Sequence, residues 1–149
     1  MNSGNPTNGL KILMEFIGTF ILSGAINLST TYVGDVQIAN PLLIFLSFFA
    51  AVTILRNISG GHVNPAVSIG VFMEKSYDQR SKEQPLLTLY ILAQTLGAMC
   101  ACLFSYIFYK ENVFKLTLAP GILPLHAFII EVIGTALFVY TILCQGYYN

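Results

Sequence analysis

Four long apolar runs limit this chain to a small set of folds. They extend over residues 10–31, 41–57, 86–109 and 125–146, and each approaches the roughly 20 helical residues that cross a hydrocarbon core about 30 Å thick. The composition agrees, because 55% of the residues are hydrophobic and only 9% are charged, whereas soluble domains are roughly 25% charged. We therefore predict an all-α membrane protein with four transmembrane helices in a single membrane domain, residues 1–149.

The charged residues bear on orientation and on partners. Seven basic and seven acidic residues give zero net charge, so we expect no interaction with nucleic acid, and the lipid bilayer is the expected surrounding. Lysine and arginine accumulate on the cytoplasmic side of membrane proteins, and their count favours a cytoplasmic, or matrix-like, N-terminus. In that orientation the inner side carries Lys11, Arg56, Lys75, Arg80 and Lys82, and the outer side carries Lys110 and Lys115.

The sequence has no pattern typical of a catalytic or metal site. Cys100, Cys102 and Cys144 lie in apolar runs, without the second pair or histidine cluster that metal-ligand spacing requires. We expect them to be small buried hydrophobic residues. Because no nucleophile with its base and no phosphate loop can be identified, we predict that the protein is not an enzyme and uses no cofactor.

A short polar stretch, SGGHVNPAVSIG, interrupts the apolar sequence at residues 59–70. The segment 59–74 is apolar enough to stay in a membrane, but at about 1.5 Å per helical residue it is too short to cross one. We therefore expect it to enter the membrane and turn back. Non-helical backbone at membrane depth is tolerated only where protein buries it or where it lines a wet cavity, so the stretch predicts a cavity.

The residue types in this stretch predict a half-helix preceded by an irregular loop. Asn64 can cap the helix and Pro65 suits its first position, while Gly60 and Gly61 allow an extended or left-handed backbone. The positive end of the helix dipole would then point toward the membrane centre. Such a site favours a neutral hydrogen-bonding solute over a cation. A capped turn that leads into a buried helix is the alternative that the spacing leaves open.

Four stretches of the sequence resemble one known family in kind and order. SGGHVNPAVS resembles the first signature loop, S-G-x-H-x-N-P-A-V, of the aquaporins and glycerol facilitators, the major intrinsic proteins. EFIGTF resembles the first helix of that family, AQTLGA its third, and EVIGTALF its fourth. The resemblance implies an aquaporin-like fold of four transmembrane helices and one re-entrant half-helix, with the second half of the fold incomplete.

An internal repeat is visible without reference to the family. MEFIGTFIL, from Met14, and IEVIGTALF, from Ile130, share Glu, Ile, Gly and Thr in one register. Membrane channels and transporters are often built from such repeats, which meet near the middle of the bilayer. We expect the second copy to begin in this sequence and to stop before its own re-entrant loop.

The resemblance also implies roles for particular residues. Asn64 would donate its side-chain amide to the solute, and the ring of His62 would anchor the loop. Ile44 stands where the family often has an aromatic filter residue, so the choice between water and glycerol stays open. The residues expected along the pore are Gly60, Gly61, His62, Asn64, Pro65, Ala66 and Ile44.

Three polar residues within the apolar runs are expected to support re-entrant loops. By resemblance, Glu15 would hold the loop at residues 59–64, whereas Gln94 and Glu131 would support a second loop that this sequence does not contain. For Gln94 and Glu131, a bond to another helix or exposure to water is the alternative. Such groups inside spans are costly and are therefore functional candidates by default.

A stripe of small residues predicts where two helices meet. Ala93, Gly97, Ala101 and Ser105 recur every four residues, which places them on one helix face. Small side chains allow close approach of helices in membranes. We expect this face to pack against another helix of the same fold.

Two functions follow from these features. The first is an aquaporin-like channel for passive permeation of water or small neutral solutes. The second is a non-conducting, aquaporin-like structural subunit, in which other membrane protein chains cover the face of the missing helices. The sequence leaves open whether the gene product is longer, whether two polypeptides complete one pore, or whether a shortened descendant serves in a larger complex.

Overall fold

The described residues form five helices and one short hairpin. A computed structural model describes residues 6–33, 36–110, 118 and 121–146, so the expected position of Lys115 lies outside the described residues. The elements in chain order are α1 (Asn8–Leu28), β1 (Thr30–Val33), β2 (Val36–Ala39), α2 (Pro41–Leu55), α3 (Pro65–Glu74), α4 (Tyr77–Tyr109) and α5 (Pro124–Gly146).

Three of these helices are long and apolar enough to cross a membrane: Asn8–Leu28, Tyr77–Phe108 and Pro124–Gln145. The shorter apolar helices are α2 and α3. The 15 residues of α2 extend about 22 Å, so a crossing by α2 needs its flanking residues as well. The four-span arrangement therefore stays a prediction for α2, whereas the helical membrane fold is as expected.

The first helix ends earlier than the apolar run suggested. We expected the first span to reach Thr31, but α1 ends at Leu28, and β1 and β2 pair as an antiparallel hairpin from Thr30↔Ala39 to Val33↔Val36. Residues 30–33 are β-branched or aromatic, which favours strands over helices. The hairpin returns the chain to Asn40, whose side chain caps α2 by accepting hydrogen bonds from two backbone N–H groups.

Helix α4 begins well before its apolar part. The expected span starts at Leu86, whereas the helix starts at Tyr77 and includes the polar residues that precede the apolar run. Ser76 and Gln79 form a capping box at its start, which stabilises a helix N-terminus. Pro85 lies inside the helix, where it removes one backbone hydrogen bond. Most of the remaining polar residues are good helix formers, so the helix continues beyond the apolar segment.

Much of the core lies between α1 and α4, where small and polar side chains are buried. All four members of the small-residue stripe on α4 are buried, and a β-carbon added at Gly97 would lie 2.5 Å from the Phe16 carbonyl oxygen. The stripe therefore packs against α1 as predicted. Farther along the same contact, Asn27 Nδ2 donates to Ser105 Oγ at 3.5 Å. The two helices meet closely because glycine and alanine leave the backbones within reach of each other.

Large apolar side chains cover the outside of the fold. Examples with exposed fractions above 60% are Leu42, Ile54, Leu125, Phe128 and Ile130. This arrangement suits a lipid solvent, which is as apolar as these side chains. The expectation of buried cysteines was wrong, because Cys100 and Cys102 are exposed and Cys144 is only half-buried. Cys102 still contacts α1, since its Sγ accepts a hydrogen bond from Asn27 Nδ2 at 3.5 Å.

Candidate functional site

The site is built around the start of α3. Asn64 is the N-cap of this helix, and its side-chain oxygen accepts a hydrogen bond from the Ala66 N–H at 2.8 Å. Pro65 occupies the first helical position. The sequence predicted both features, and the reason is local: the cap satisfies an N–H group that the helix cannot pair, and proline has no N–H group to leave unpaired.

The loop before α3 takes an unusual backbone conformation. Gly60 and Gly61 have φ angles of +98° and +63°, as the glycine pair led us to expect. Val63 also has a positive φ, +46°, which is a genuine outlier for a β-branched residue. Strain of this kind persists only where the surroundings impose it, so the contacts of the loop require explanation.

A single buried carboxylate holds the loop. Glu15 on α1 has no exposed surface, and its two oxygens accept hydrogen bonds from four donors. Oε1 accepts from Ser59 Oγ at 2.6 Å and from the His62 N–H at 3.0 Å. Oε2 accepts from the Val63 N–H at 2.7 Å and from Gln94 Nε2 at 2.8 Å. Hydrogen bonds to a charged acceptor are the strong ones, so this contact can maintain the strained backbone at Val63.

Gln94 on α4 extends the network to α3. Its Nε2 donates to Ser68 Oγ at 2.9 Å as well as to Glu15, so Gln94 supports the loop that is present here. Its Oε1 is buried without a hydrogen-bond partner among the described residues. Because Ser68 accepts from Gln94, its own proton can be donated to His62 Nδ1, 3.1 Å away, which leaves Nε2 as the protonated nitrogen.

The ring of His62 is fixed in the loop on two sides. Besides the contact with Ser68, it meets the Tyr90 ring edge to face, with centroids 5.6 Å apart. Burial lowers the pKa of His62, which lies in the loop outside the spanning helices, while the nearby Glu15 acts in the opposite direction. The imidazole is therefore neutral at neutral pH. Tyr90 also donates its hydroxyl to the Ser59 carbonyl oxygen at 2.7 Å.

The hydrogen bonds give the loop two chemically different sides. The N–H groups of four successive residues donate to other groups of the protein: Gly60 to Arg56 O, Gly61 to Ser59 Oγ, and His62 and Val63 to Glu15. Among the described residues, none donates a hydrogen bond to the carbonyl oxygens of Gly60, Gly61, His62 and Val63, which are left as the free acceptors of the loop.

A cavity of about 600 Å³ borders this loop, and we call it the loop cavity. Gly60, Gly61 and His62 form its polar wall. Apolar residues of three helices form much of the rest: Phe48 and Val52 of α2, Val67 and Val71 of α3, and Ile142 and Leu143 of α5. Arg56, Glu74 and Gln145 complete the lining. Helix α5 is brought to this position by an edge-to-face contact between Phe48 and Phe138, with centroids 5.5 Å apart.

A second cavity of about 650 Å³ lies at the tip of the loop, and we call it the tip cavity. Asn64 and Pro65 line it together with α1 and α4 side chains, among them Thr19, Ser23 and Gln94. Asn64 thus stands at a cavity between helices and is only half-buried. The capping oxygen of Asn64 is occupied by Ala66, so its amide nitrogen is the group left to donate.

Two of the predicted site residues lie apart from this network. Ile44 is half-buried in the first turn of α2 and lines neither the loop cavity nor the tip cavity. Glu131 is exposed on α5, where it borders a groove of about 470 Å³ shared with Ala66 at the start of α3. Among the described residues, none donates a hydrogen bond to Glu131.

Sequence reasoning missed several side chains of the network, namely Ser59, Ser68 and Tyr90. A signal existed for Tyr90, because it precedes Gln94 by one helical turn and therefore shares its face. Ser59 and Ser68 flank the loop in sequence, but nothing local indicates that both point toward α1 and α4. The positive φ of Val63 had no signal, since valine rarely adopts that conformation.

Comparison with known proteins matches the chain to one family. The family model described as Major intrinsic protein matches residues 7–147. Among relatives, the chain is 32% identical over 136 residues to an aquaglyceroporin from Toxoplasma gondii, covering 91% of this chain and 50% of that protein. No solved structure gives a significant match.

Two further relatives come from a plant and an archaeon. Aquaporin TIP1-2 from Zea mays is 30% identical over 149 residues, covering 93% of this chain and 57% of that protein. Aquaporin AqpM from Methanothermobacter marburgensis is 31% identical over 164 residues, covering 89% of this chain and 63% of that protein. The chain spans about half to two thirds of the length of these relatives. With the family match over nearly the whole chain and a re-entrant Asn-Pro-Ala loop held by a buried glutamate, the chain belongs to the major intrinsic protein family.

Proposed function

We propose that this chain forms part of a channel for passive permeation of water or small neutral solutes. The observation that carries the proposal is the two-sided loop. Its N–H groups donate to Glu15, Ser59 and Arg56, while residues 60–62 line the loop cavity with their carbonyl oxygens left to other partners. A row of such acceptors can replace the water partners of a solute as it moves.

The start of α3 explains why a neutral solute suits this path. The N-terminus of a helix carries roughly half a positive charge, and at α3 it lies beside the amide nitrogen of Asn64. A cation that passes the carbonyl oxygens would next meet this positive end, whereas water or a polyol can accept a hydrogen bond there. The same reasoning extends the path from the loop cavity past Asn64 to the tip cavity. By family resemblance, Pro65 and Ala66 would pack against a second half-helix that faces the start of α3.

The expected orientation and surroundings belong to the same proposal. We place the N-terminus on the cytoplasmic, or matrix-like, side because Lys11, Arg56 and Lys75 lie toward one end of the helices. In this orientation the loop cavity opens to that side, and the tip cavity lies toward the opposite side. Other membrane protein chains are expected to cover part of the exposed surface of α5.

Osmotic swelling of liposomes that contain the purified chain tests the proposal. We expect faster water flux than in empty liposomes, and we expect Asn64→Asp to remove most of the difference. Aspartate is as good an N-cap as asparagine, so α3 should keep its start while the amide donor is lost. Asn57→Asp is the matched control, because Asn57 is exposed at the end of α2 and lines neither cavity. Water flux equal to that of empty liposomes contradicts the proposal.

The second candidate is a non-conducting structural subunit, and one observation favours it. Glu131 lies exposed in α5, which contains no other Asp, Glu, Lys or Arg, and an ionisable group facing lipid is costly. A partner chain that donates hydrogen bonds to Glu131 would remove this cost. In that role the chain gives no water flux, and it migrates in a larger complex from native membranes, which Glu131→Gln dissociates. Unchanged migration of the variant contradicts the subunit function.

A further inference from the structure

Two charged residues line the loop cavity from different walls. Arg56 follows α2 as its C-cap residue, and its carbonyl oxygen accepts the Gly60 N–H at 3.2 Å, which ties it to the first glycine of the loop. Glu74 is the last residue of α3. Both residues line the cavity together with the loop residues 60–62 and Gln145. The lining therefore combines one basic and one acidic residue with the backbone of the loop.

The negative charge of Glu74 does not stabilise α3, the helix that it ends. A carboxylate at the C-terminal end of a helix adds to the negative end of the helix dipole, which is unfavourable. The adjacent Lys75 does not neutralise it, because the Lys75 ammonium forms its ion pair with Glu83 of α4. The carboxylate of Glu74 thus contributes its charge to the cavity that it lines.

Without Arg56, this cavity would have the ligand set of a cation site. A carboxylate and several carbonyl oxygens are the groups that hard cations such as Ca²⁺ bind. A sphere with the volume of this cavity is about 10 Å in diameter. At the effective permittivity near a protein surface, a second positive charge at that distance still raises the free energy of a bound cation appreciably. Among the described residues, Arg56 and Glu74 form no ion pair with each other. The Arg56 guanidinium therefore affects the cavity through its electrostatic potential and not through a bond to Glu74.

We propose that Arg56 is a specificity-determining residue of the loop cavity, whose charge prevents Glu74 and the loop carbonyl groups from holding a cation. The cavity then stays available to neutral molecules. This inference rests on the proposed function for its role in permeation, because a cation bound beside residues 60–62 would obstruct the path. The cation site itself can be measured whether or not the chain conducts.

The test is Ca²⁺ binding to the purified chain in neutral detergent, measured by titration calorimetry. We expect Arg56→Gln to bind Ca²⁺ at least about tenfold more tightly than the wild-type chain, since one nearby positive charge has been removed. Arg56→Lys keeps the charge and should bind as weakly as wild type. Arg56→Gln combined with Glu74→Gln lacks the carboxylate and should lose the gain, which separates this site from other acidic residues.

Two results overturn the inference. One is equal Ca²⁺ affinity in Arg56→Gln and wild type, and the other is a gain that persists in the double variant. Water flux measured on the same variants keeps the two proposals apart. Ca²⁺ should inhibit flux through Arg56→Gln and not through wild type. Absence of flux in every variant, together with tighter Ca²⁺ binding by Arg56→Gln, refutes the channel function and leaves the charge assignment standing.

Discussion

Replacing Glu15 by glutamine tests the central contact of the site. Each carboxylate oxygen accepts two hydrogen bonds. In glutamine an NH₂ group replaces one of these oxygens. Its hydrogens then face two donor groups, and both hydrogen bonds are lost. Hydrogen bonds to a charged group contribute about 1.5–3 kcal/mol each, and the loss of two amounts to about 3–6 kcal/mol. The lower desolvation cost of the neutral amide offsets part of this loss. We expect the free energy of unfolding to fall by about 2–4 kcal/mol.

The repeat supplies a matched control for this experiment. Glu131 occupies the same register as Glu15 in the second copy of the motif, but it is exposed. Glu131→Gln should therefore change the free energy of unfolding in detergent by less than about 0.5 kcal/mol. Both variants can be compared by SDS titration in mixed micelles, with helix content followed by circular dichroism. Equal effects of the two substitutions would refute the assignment of Glu15 as the residue that holds the loop.

Two further predictions concern the packing of α4, and each has a control at an exposed helix position. Gly97→Ala should destabilise the chain by about 1–3 kcal/mol because its new methyl group meets a backbone carbonyl of α1. A β-carbon at Gly134 would have nothing within 4 Å, so Gly134→Ala should be neutral or stabilising by up to about 1 kcal/mol. SDS titration measures both effects. Tyr90→Phe removes the hydroxyl that binds the loop and should cost about 1 kcal/mol, whereas Tyr106→Phe, on the same helix but 66% exposed, should have little effect. A neutral Gly97→Ala, or equal losses in the two tyrosine variants, would contradict the packing described for α1 and α4.

Local sequence was sufficient for the elements whose signals are local. Asn64 and Pro65 mark the start of α3 because capping and the missing proline N–H act within one turn. The apolar runs predict membrane helices because the thickness of the bilayer sets the length that is needed. The boundaries of α1 and α4 were less predictable. A hairpin and a capped polar extension compete with hydropathy there, and the local signs of the hairpin are the β-branched and aromatic residues 30–33 followed by Gly34-Asp35.

The repeat separates most clearly what sequence determined from what tertiary structure decided. EFIGT and EVIGT present the same glutamate, glycine and threonine on a helix, so sequence alone assigns both copies one secondary structure and one candidate role. In the fold, a β-carbon at Gly18 would overlap the side chains of Leu55 and Val63, while one at Gly134 would meet nothing.

The physical reason is that a buried carboxylate acquires its role from the donors that reach it. Residues 59–63 bring three of the four donors to Glu15, and α4 brings the fourth; no described segment does the same for Glu131. Hydropathy and capping determined that the chain enters a membrane and that a half-helix starts at Asn64. Apart from the family resemblance, which assigned this loop to Glu15, only the packing of α1, α4 and the loop against one another decided which glutamate holds that half-helix, because hydrogen bonds between distant segments leave no periodic trace in the sequence.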